Sequence, residues 1–181
     1  RTSARWGRSR ATRRRSCTVG GCLCPLTQTA LLAPAKFIRD RKLTAWFSVP
    51  SVAMVMHQLR QLGPAAFPDL RVSLFCGEAL SASLAAAWQT AAPNSIVDNL
   101  YGPTEATIAI SHYRWMPGDE DRQFPNGVVP IGTIFASQRG CIRGENGHLA
   151  PDGQTGELCL AGSQLTEGYW NNPEQTAKAF V

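Results

Sequence analysis

The stretch Asp98-Asn99-Leu100-Tyr101-Gly102-Pro103-Thr104-Glu105 determines how the rest of this chain is interpreted. A β-type run, residues 95–100, leads into Gly102-Pro103, where the backbone must turn because proline has a fixed φ and no N–H donor. An amide, a phenol, a hydroxyl and a carboxylate surround this turn. An aromatic ring can stack on a planar base, and a carboxylate can bind a hard cation such as Mg²⁺. The stretch therefore predicts a nucleotide site at the carboxyl end of a strand, where open α/β sheets bind ligands.

Two further strands precede this one. Residues 43–49 are nearly all apolar, which predicts a strand covered on both faces, and residues 70–75 form the next β-type run. Because helical patterns separate the three runs, the sequence predicts a parallel βαβαβ sheet. The strand ends at 76–78 and 99–105 should then open on the same edge. A turn followed by a helix cap is the alternative for Gly-Pro-Thr-Glu taken by itself.

The two connecting helices have different signals. Pro50 opens the first, which should reach about residue 62, and Ser81 should cap the second. The first helix is predicted to bury Val52, Val55, Met56 and Leu59, and the second Leu84, Ala85 and Trp88.

The remainder of the chain has a different character. Residues 106–115 are extended and 119–126 form a polar loop, while the segment after Ile131 contains a hairpin turn at 145–147 and a strand at 157–161. A last helix begins at Pro173. The fold class predicted is α/β: a parallel sheet in residues 17–130, followed by a β-rich subdomain in residues 131–181.

The basic charge of the chain is concentrated at its beginning. The net charge is +5, from 18 basic and 13 acidic residues, but seven arginines lie in residues 1–16, and without them the chain carries 11 basic and 13 acidic residues. We therefore expect a disordered Arg-rich flank and no nucleic-acid-binding domain; an Arg-tailed nucleic-acid binder is the minor alternative. No apolar run approaches the roughly 18 residues that a membrane helix needs, so we expect no membrane partner.

The six cysteines do not have the spacing of a metal site. Cys22 and Cys24 are separated by one residue instead of the two to four of zinc knuckles, and Cys17 adds no second pair. Cys76, Cys141 and Cys159 stand alone in apolar segments, which predicts buried free thiols. This pattern favours a reducing, cytoplasmic setting.

Three motifs together resemble the amino-acid adenylation domains of nonribosomal peptide synthetases, members of the adenylate-forming, AMP-binding superfamily. They are Phe75-Cys76-Gly77-Glu78, the run 99–105 with its Asn-x-Tyr-Gly-Pro-Thr-Glu pattern, and Gly156-Glu157-Leu158-Cys159-Leu160-Ala161-Gly162 followed by Gly168-Tyr169-Trp170. Their order and spacing match the family, and the resemblance extends from about residue 17 to 181.

The resemblance implies the cofactors ATP or AMP and Mg²⁺, and a role for each matching residue. Asn99 would bond the adenine amino group, Tyr101 would flank the base, Thr104 would contact the α-phosphate and Glu105 would hold Mg²⁺. The nucleotide site would also include Cys76, Gly77, Glu78 and Gly102. The acyl pocket would be lined by Phe47, Leu74, Cys76, Leu100, Ile108 and Ala109; these six are apolar, which favours an uncharged, largely hydrophobic substrate side chain, although simple core packing is the alternative.

The reaction implied is the attack of a carboxylate on the α-phosphorus of ATP, with release of pyrophosphate. The family also has a Lys-containing phosphate loop, an Asp that binds the substrate amino group, a ribose-binding Asp and a lid Lys, none of which matches this sequence. We therefore expect the chain to be a central fragment of such a domain, truncated at both ends, with little or no adenylation activity by itself. Two alternatives remain: an acyl-CoA or aryl-acid ligase of the same superfamily, and a noncatalytic nucleotide-binding relic. The acceptor of the acyl group is also open, and is either a phosphopantetheinyl carrier domain or coenzyme A.

Overall fold

The computed structural model describes residues 32–180, so the predicted flank 1–16 and three of the cysteines lie outside the described residues. Two sheets and four α-helices make up this part of the chain. In chain order the elements are α1 (Pro34–Arg41), β1 (Ala45–Ser48), α2 (Pro50–Gln58), β2 (Val72–Cys76), α3 (Ala82–Ala91), β3 (Ile96–Tyr101), a 3₁₀ turn (Thr104–Ala106), β4 (Ser111–Arg114), 3₁₀ turns at Asp119–Asp121 and Pro125–Gly127, β5 (Thr133–Ile134), β6 (Gln138–Arg143), β7 (Glu157–Gly162) and α4 (Pro173–Ala179).

The larger sheet has the order β1-β2-β3-β4-β5. Its first three strands are parallel, with Phe47 opposite Leu74 and Cys76 opposite Leu100. β4 and β5 then add in antiparallel fashion. The βαβαβ prediction is thus confirmed, and the ends of β2 and β3 do lie side by side at one edge of the sheet.

Trp88 of α3 lies at the centre of the core. Its ring packs on three aromatic neighbours: Phe75 in a T-shaped contact at 5.1 Å, Phe67 at 5.5 Å and Trp46 at 6.2 Å. Helices α1, α2 and α3 all contribute buried residues to this same cluster, and β2 and β3 add Phe75 and Val97. Such aromatic contacts add to the stabilisation from burial of the apolar surface.

Helix α3 forms as the sequence predicts. The Ser81 hydroxyl accepts a hydrogen bond from the Leu84 amide at 3.3 Å and so caps the first turn. Helix α2 is shorter than predicted and its buried stripe was partly wrong: Val55 and Leu59 are exposed, whereas Met56 is fully buried. The buried residues of α2 are Pro50, Ala53 and Met56, and Leu59 lies past the last helical residue, Gln58.

The prediction that β1 is covered on both faces was also wrong. Residues alternate along the strand, and only the Trp46 side faces the core cluster. Phe47, on the opposite side, is 53% exposed. An apolar strand thus has one face that no described helix covers.

The second sheet is the β6–β7 hairpin, with the predicted turn closed by a hydrogen bond from the Gly144 amide to the His148 carbonyl. Cys141 and Cys159 face each other across it as free thiols, but Cys141 is exposed, because a two-stranded sheet buries only part of its side chains. Cys76 alone of the three described cysteines is buried as predicted. Among the described residues, no helix is long and apolar enough to span a membrane.

Candidate functional site

The turn after β3 is built on a close backbone approach at Gly102. A side chain there would place its Cβ 2.7 Å from the Cα of Ala109 and 2.8 Å from the Ile110 nitrogen. The Ile110 amide donates to the Tyr101 carbonyl at 2.8 Å, which draws the returning chain against the turn. Gly102 is therefore required by packing, and Pro103 directs the chain into the 3₁₀ turn that carries Thr104 and Glu105.

Glu105 is held from two sides by the segment that follows β7. The Tyr169 hydroxyl donates a hydrogen bond to the Glu105 carboxylate, and the Thr166 amide donates to the Glu105 carbonyl at 2.9 Å. The hydrogen bond from Tyr169 lowers the pKa of Glu105. The same bond raises the pKa of the Tyr169 hydroxyl. Motifs that are 64 residues apart in the sequence thus meet at one carboxylate.

Asn99 has a half-satisfied amide in a buried position. Its Nδ2 donates to the carbonyls of Val129, at 3.2 Å, and Pro130, at 3.0 Å. Its Oδ1 is buried and has no partner among the described residues. Since a buried acceptor without a partner is costly, it fits a ligand that brings an N–H donor, such as the amino group of adenine.

The turn after β2 has its own arrangement. Gly77 adopts φ +92°, a conformation that favours glycine, and it lies close to Val49. The Glu78 carboxylate accepts hydrogen bonds from the amide of Ser51 at 2.8 Å and from its hydroxyl at 3.1 Å. Glu78 therefore stabilises the N-terminus of α2, where a negative charge is favourable. Gly77 and Glu78 remain predicted members of the nucleotide site.

Four of the six predicted pocket residues share one face of the sheet. By strand register, this uncovered face carries Phe47, Leu74, Cys76 and Leu100. Cys76 is largely covered, its thiol lies 3.7 Å from the Ile108 carbonyl, and burial raises its pKa. Ile108 and Ala109, the two other predicted residues, thus lie at the edge of this face. Core packing does not explain Phe47 and Ile108, which are both more than half exposed.

Two polar features near the site were not found from the sequence. Asp98 lies on the uncovered face, is almost fully buried and binds the Arg114 guanidinium through both oxygens, at 2.9 and 3.1 Å. A carboxylate inside an apolar strand is a signal that could have identified this pair. Gln164 forms hydrogen bonds with Thr107 and Ala109 in the loop after Glu105. Nothing in the sequence around Gln164 predicts this contact.

The described residues contain no cluster of three or more His, Cys, Asp or Glu side chains that could hold a metal ion. Glu105 is a single, partly exposed carboxylate with one oxygen bonded to Tyr169. This donor set fits Mg²⁺, which is commonly bound by one or two carboxylates together with the phosphates of a substrate. It does not fit a metal ion bound by protein ligands alone.

Residues 16–170 match the family model of the AMP-binding enzymes. The chain belongs to the AMP-binding enzyme family. Among solved structures, the Vibrio cholerae adenylation domain AlmE, in complex with glycyl-adenosine-5'-phosphate, is 42% identical with a TM-score of 0.78. The match covers 86% of this chain and 30% of AlmE. Adenylate-forming enzymes in general use ATP and Mg²⁺.

Other relatives agree with this assignment. D-alanine–D-alanyl carrier protein ligase of Bacillus cereus (strain G9842) is 31% identical over 169 residues, which are 92% of this chain and 33% of the ligase. The nonribosomal peptide synthetase protein PA1221, which contains adenylation and PCP domains, is 25% identical over 88% of this chain and 30% of its own, with a TM-score of 0.71. The AMP-binding chain described here spans about a third of the length of the curated relatives it matches.

Proposed function

We propose that this chain supplies the adenine-binding and acyl-binding surfaces of an enzyme that activates an amino acid as its aminoacyl-adenylate. A carboxylate oxygen of the amino acid attacks the α-phosphorus of ATP, and the bond to pyrophosphate breaks. The observation that carries the proposal is the junction at the end of β3. There Cys76 and Leu100 end the uncovered face side by side, and the turn that holds Thr104 and Glu105 follows β3. The Cys76 thiol lies 3.7 Å from the Ile108 carbonyl, just beyond that turn.

The polar residues of this turn have separate roles in the proposal. The free Oδ1 of Asn99 accepts from the adenine amino group, and Tyr101, which is 38% exposed at the end of β3, flanks the base. Gly77, Glu78 and Gly102 contribute backbone at the same edge. Thr104, exposed on the 3₁₀ turn, donates to the α-phosphate.

Glu105 would hold Mg²⁺ together with phosphate oxygens of the nucleotide. The bound cation would neutralise negative charge on the phosphates, which is the main requirement of such phosphoryl chemistry. The hydrogen bond from Tyr169 favours the ionised form of Glu105 and involves only one of its carboxylate oxygens.

The acyl side chain would lie against the uncovered face. Phe47, Leu74, Cys76 and Leu100 offer no charge and few hydrogen-bonding groups, and Ile108 and Ala109 border them. The one carboxylate described on this face, that of Asp98, is already paired with Arg114. A charged substrate side chain would therefore be desolvated without a free partner, so the proposal specifies an amino acid with an uncharged, largely hydrophobic side chain.

The acceptor in the proposal is a phosphopantetheinyl carrier domain. Support comes from relatives whose names include a D-alanyl carrier protein, and from PA1221, in which adenylation and PCP domains occur together. The second candidate is a ligase of the same superfamily that transfers the acyl group to coenzyme A. The proposal also retains the predicted division into residues 17–130 and 131–181, although β5 extends the first sheet to Ile134. It retains a reducing, cytoplasmic setting as well.

A hybrid enzyme tests the proposal. Residues 32–180 would replace the matching segment of AlmE, and amino-acid-dependent exchange of pyrophosphate into ATP would be measured over a panel of amino acids. We expect exchange with apolar amino acids larger than glycine. A folded hybrid that binds AMP but exchanges no pyrophosphate with any amino acid would contradict the proposed reaction, and activity confined to aryl or fatty acids would favour the second candidate.

A further inference from the structure

The loop 104–109 contains two consecutive non-glycine residues in the left-handed region. Thr107 has φ +56° and Ile108 has φ +75°. Both are β-branched, and such residues rarely adopt positive φ because their side chains crowd the backbone. Conformations of this kind persist only where the surrounding structure fixes them, and they are frequent at ligand-binding sites. The contacts that fix this loop therefore bear on what it does.

Gln164 makes hydrogen bonds on both sides of Ile108. The Thr107 hydroxyl donates to the Gln164 carbonyl at 2.7 Å, and the Gln164 side-chain amide donates to the Ala109 carbonyl at 3.1 Å. Gln164 is itself tied to the second sheet, since its backbone amide donates to the Gln138 side chain at 3.4 Å. The left-handed pair is thus held by a residue more than 50 positions away in the sequence.

The loop faces the uncovered side of the sheet at the same point. The Ile108 carbonyl lies 3.7 Å from the Cys76 thiol, at the end of β2, and the Ile108 side chain is 63% exposed. Ala109 is almost fully buried. The backbone is therefore fixed while the Ile108 side chain remains available to a ligand.

We propose that Gln164 is a positioning residue for substrate selection. By fixing Thr107 and Ala109, it holds the Ile108 side chain at the edge of the uncovered face, where it forms a wall against the acyl side chain. The inference rests on the proposed function, because it takes this face as the acyl site. Gln164 itself need not touch the substrate: it sets the place of a side chain that does.

The first test is amide hydrogen exchange of the free 181-residue chain. Gln164→Leu and Gln164→Glu both keep the side-chain size and remove the donor to Ala109. We expect at least about tenfold faster exchange at the Thr107, Ala109 and Ile110 amides in both variants, and unchanged exchange in β1 to β3. Gln89→Leu is the matched control, because the Gln89 side-chain amide also donates to backbone carbonyls, those of Ala92 and Ser95, which lie outside the loop.

The second test separates selection from stability. Binding of AMP and of two non-hydrolysable aminoacyl-sulfamoyl adenosines, glycyl and leucyl, would be measured by calorimetry on the same chain. The unsubstituted chain should prefer leucyl over glycyl. We expect Gln164→Leu to reduce this preference by about tenfold while the AMP affinity stays within about twofold.

The outcomes distinguish the inference from the proposed function. Unchanged exchange at the loop amides overturns the inference whatever the ligand data show, and so does a changed exchange rate with an unchanged leucyl-to-glycyl ratio. If the unsubstituted chain binds AMP but does not distinguish the two aminoacyl ligands, the assignment of the uncovered face is wrong and the inference fails with it. Absence of AMP binding counts against the proposed function, while the exchange test still decides whether Gln164 fixes the loop.

Discussion

The Tyr169 hydroxyl donates a hydrogen bond to the Glu105 carboxylate, and so joins the loop after β7 to the turn after β3. Tyr169 is in turn fixed by α4: its amide donates to the Thr176 hydroxyl at 2.9 Å, and its ring meets that of Phe180 at 5.6 Å in a T-shaped contact. The conformation of a candidate magnesium ligand thus depends on how a distant helix packs.

Tyr169→Phe should raise the pKa of Glu105 towards its ordinary value of 4.5, because the hydrogen bond that favours the ionised form is lost. Because the pKa of Glu105 is lower in the folded state, the contact stabilises the loop fully at pH values above the ordinary pKa. This contribution is lost as the pH falls through the pKa of the folded state. Carboxyl-carbon NMR of Glu105 across a pH titration measures both chains. Tyr113→Phe is the control, since Tyr113 donates to Asp119 instead, and an equal shift in both variants would contradict the prediction.

Glu105→Gln should remove most of the metal-dependent activity and leave the fold intact. The amide keeps the size of the side chain but has no charge with which to hold Mg²⁺, so we expect pyrophosphate exchange by the AlmE hybrid to fall by about 100-fold. Thermal unfolding should shift little, because Glu105 is partly exposed.

Glu167→Gln, on an exposed carboxylate two residues before Tyr169, is the matched control for this variant and should retain its rate. If Glu105→Gln exchanged pyrophosphate as fast as this control, at every Mg²⁺ concentration, Glu105 would have no part in the reaction.

Gly102→Ala should destabilise the chain because the added methyl group would lie within 3 Å of backbone atoms of Ala109 and Ile110. Overpacking of this kind costs about 1–3 kcal/mol in free energy of unfolding. Gly63→Ala is the control: nothing lies within 4 Å of its Cβ position, so the change should stay within about 0.5 kcal/mol. Urea denaturation of the two variants measures the difference, and equal stabilities would contradict the close approach.

Much of the first sheet could be predicted from the sequence because local signals there agree with tertiary packing. Ser81 is a capping residue in a capping position, and Trp88 lies on the predicted stripe of its helix. Val55 and Leu59 also have helical spacing, but spacing does not reveal which side of a helix meets the sheet, nor that α2 ends at Gln58. The prediction that β1 is covered on both faces was wrong at Phe47 for a related reason: an apolar residue in a strand can face a binding site as well as a core.

The candidate site could be predicted only where its residues are adjacent in sequence. Thr104 and Glu105 directly follow Gly102-Pro103, a dipeptide that predicts a turn from the sequence alone. Cys76 and Leu100 are brought together by regular strand pairing. The bond between Gln164 and Ala109 joins two irregular loops across 55 residues. No periodicity or propensity specifies such a contact, because it depends on how the second sheet packs beside the first.

The last prediction concerns Asn99, whose amide nitrogen donates to the carbonyls of Val129 and Pro130. Asn99→Asp would replace this donor with a carboxylate oxygen that faces two carbonyl oxygens in a buried position. We expect a loss of about 2–3 kcal/mol in free energy of unfolding at neutral pH. Near pH 4 the loss should shrink, because a protonated carboxyl group can donate one of the two bonds.

Asn94→Asp is the matched control for this variant. Asn94 also donates through its amide nitrogen to a carbonyl, that of Pro68 at 3.0 Å, but its side chain is exposed, so water can replace the lost partner. Its loss should stay below about 1 kcal/mol at both pH values. Urea denaturation at about pH 7 and pH 4 measures all three chains. Equal losses in the two variants would show that burial of Asn99 does not determine its contribution to the free energy of unfolding.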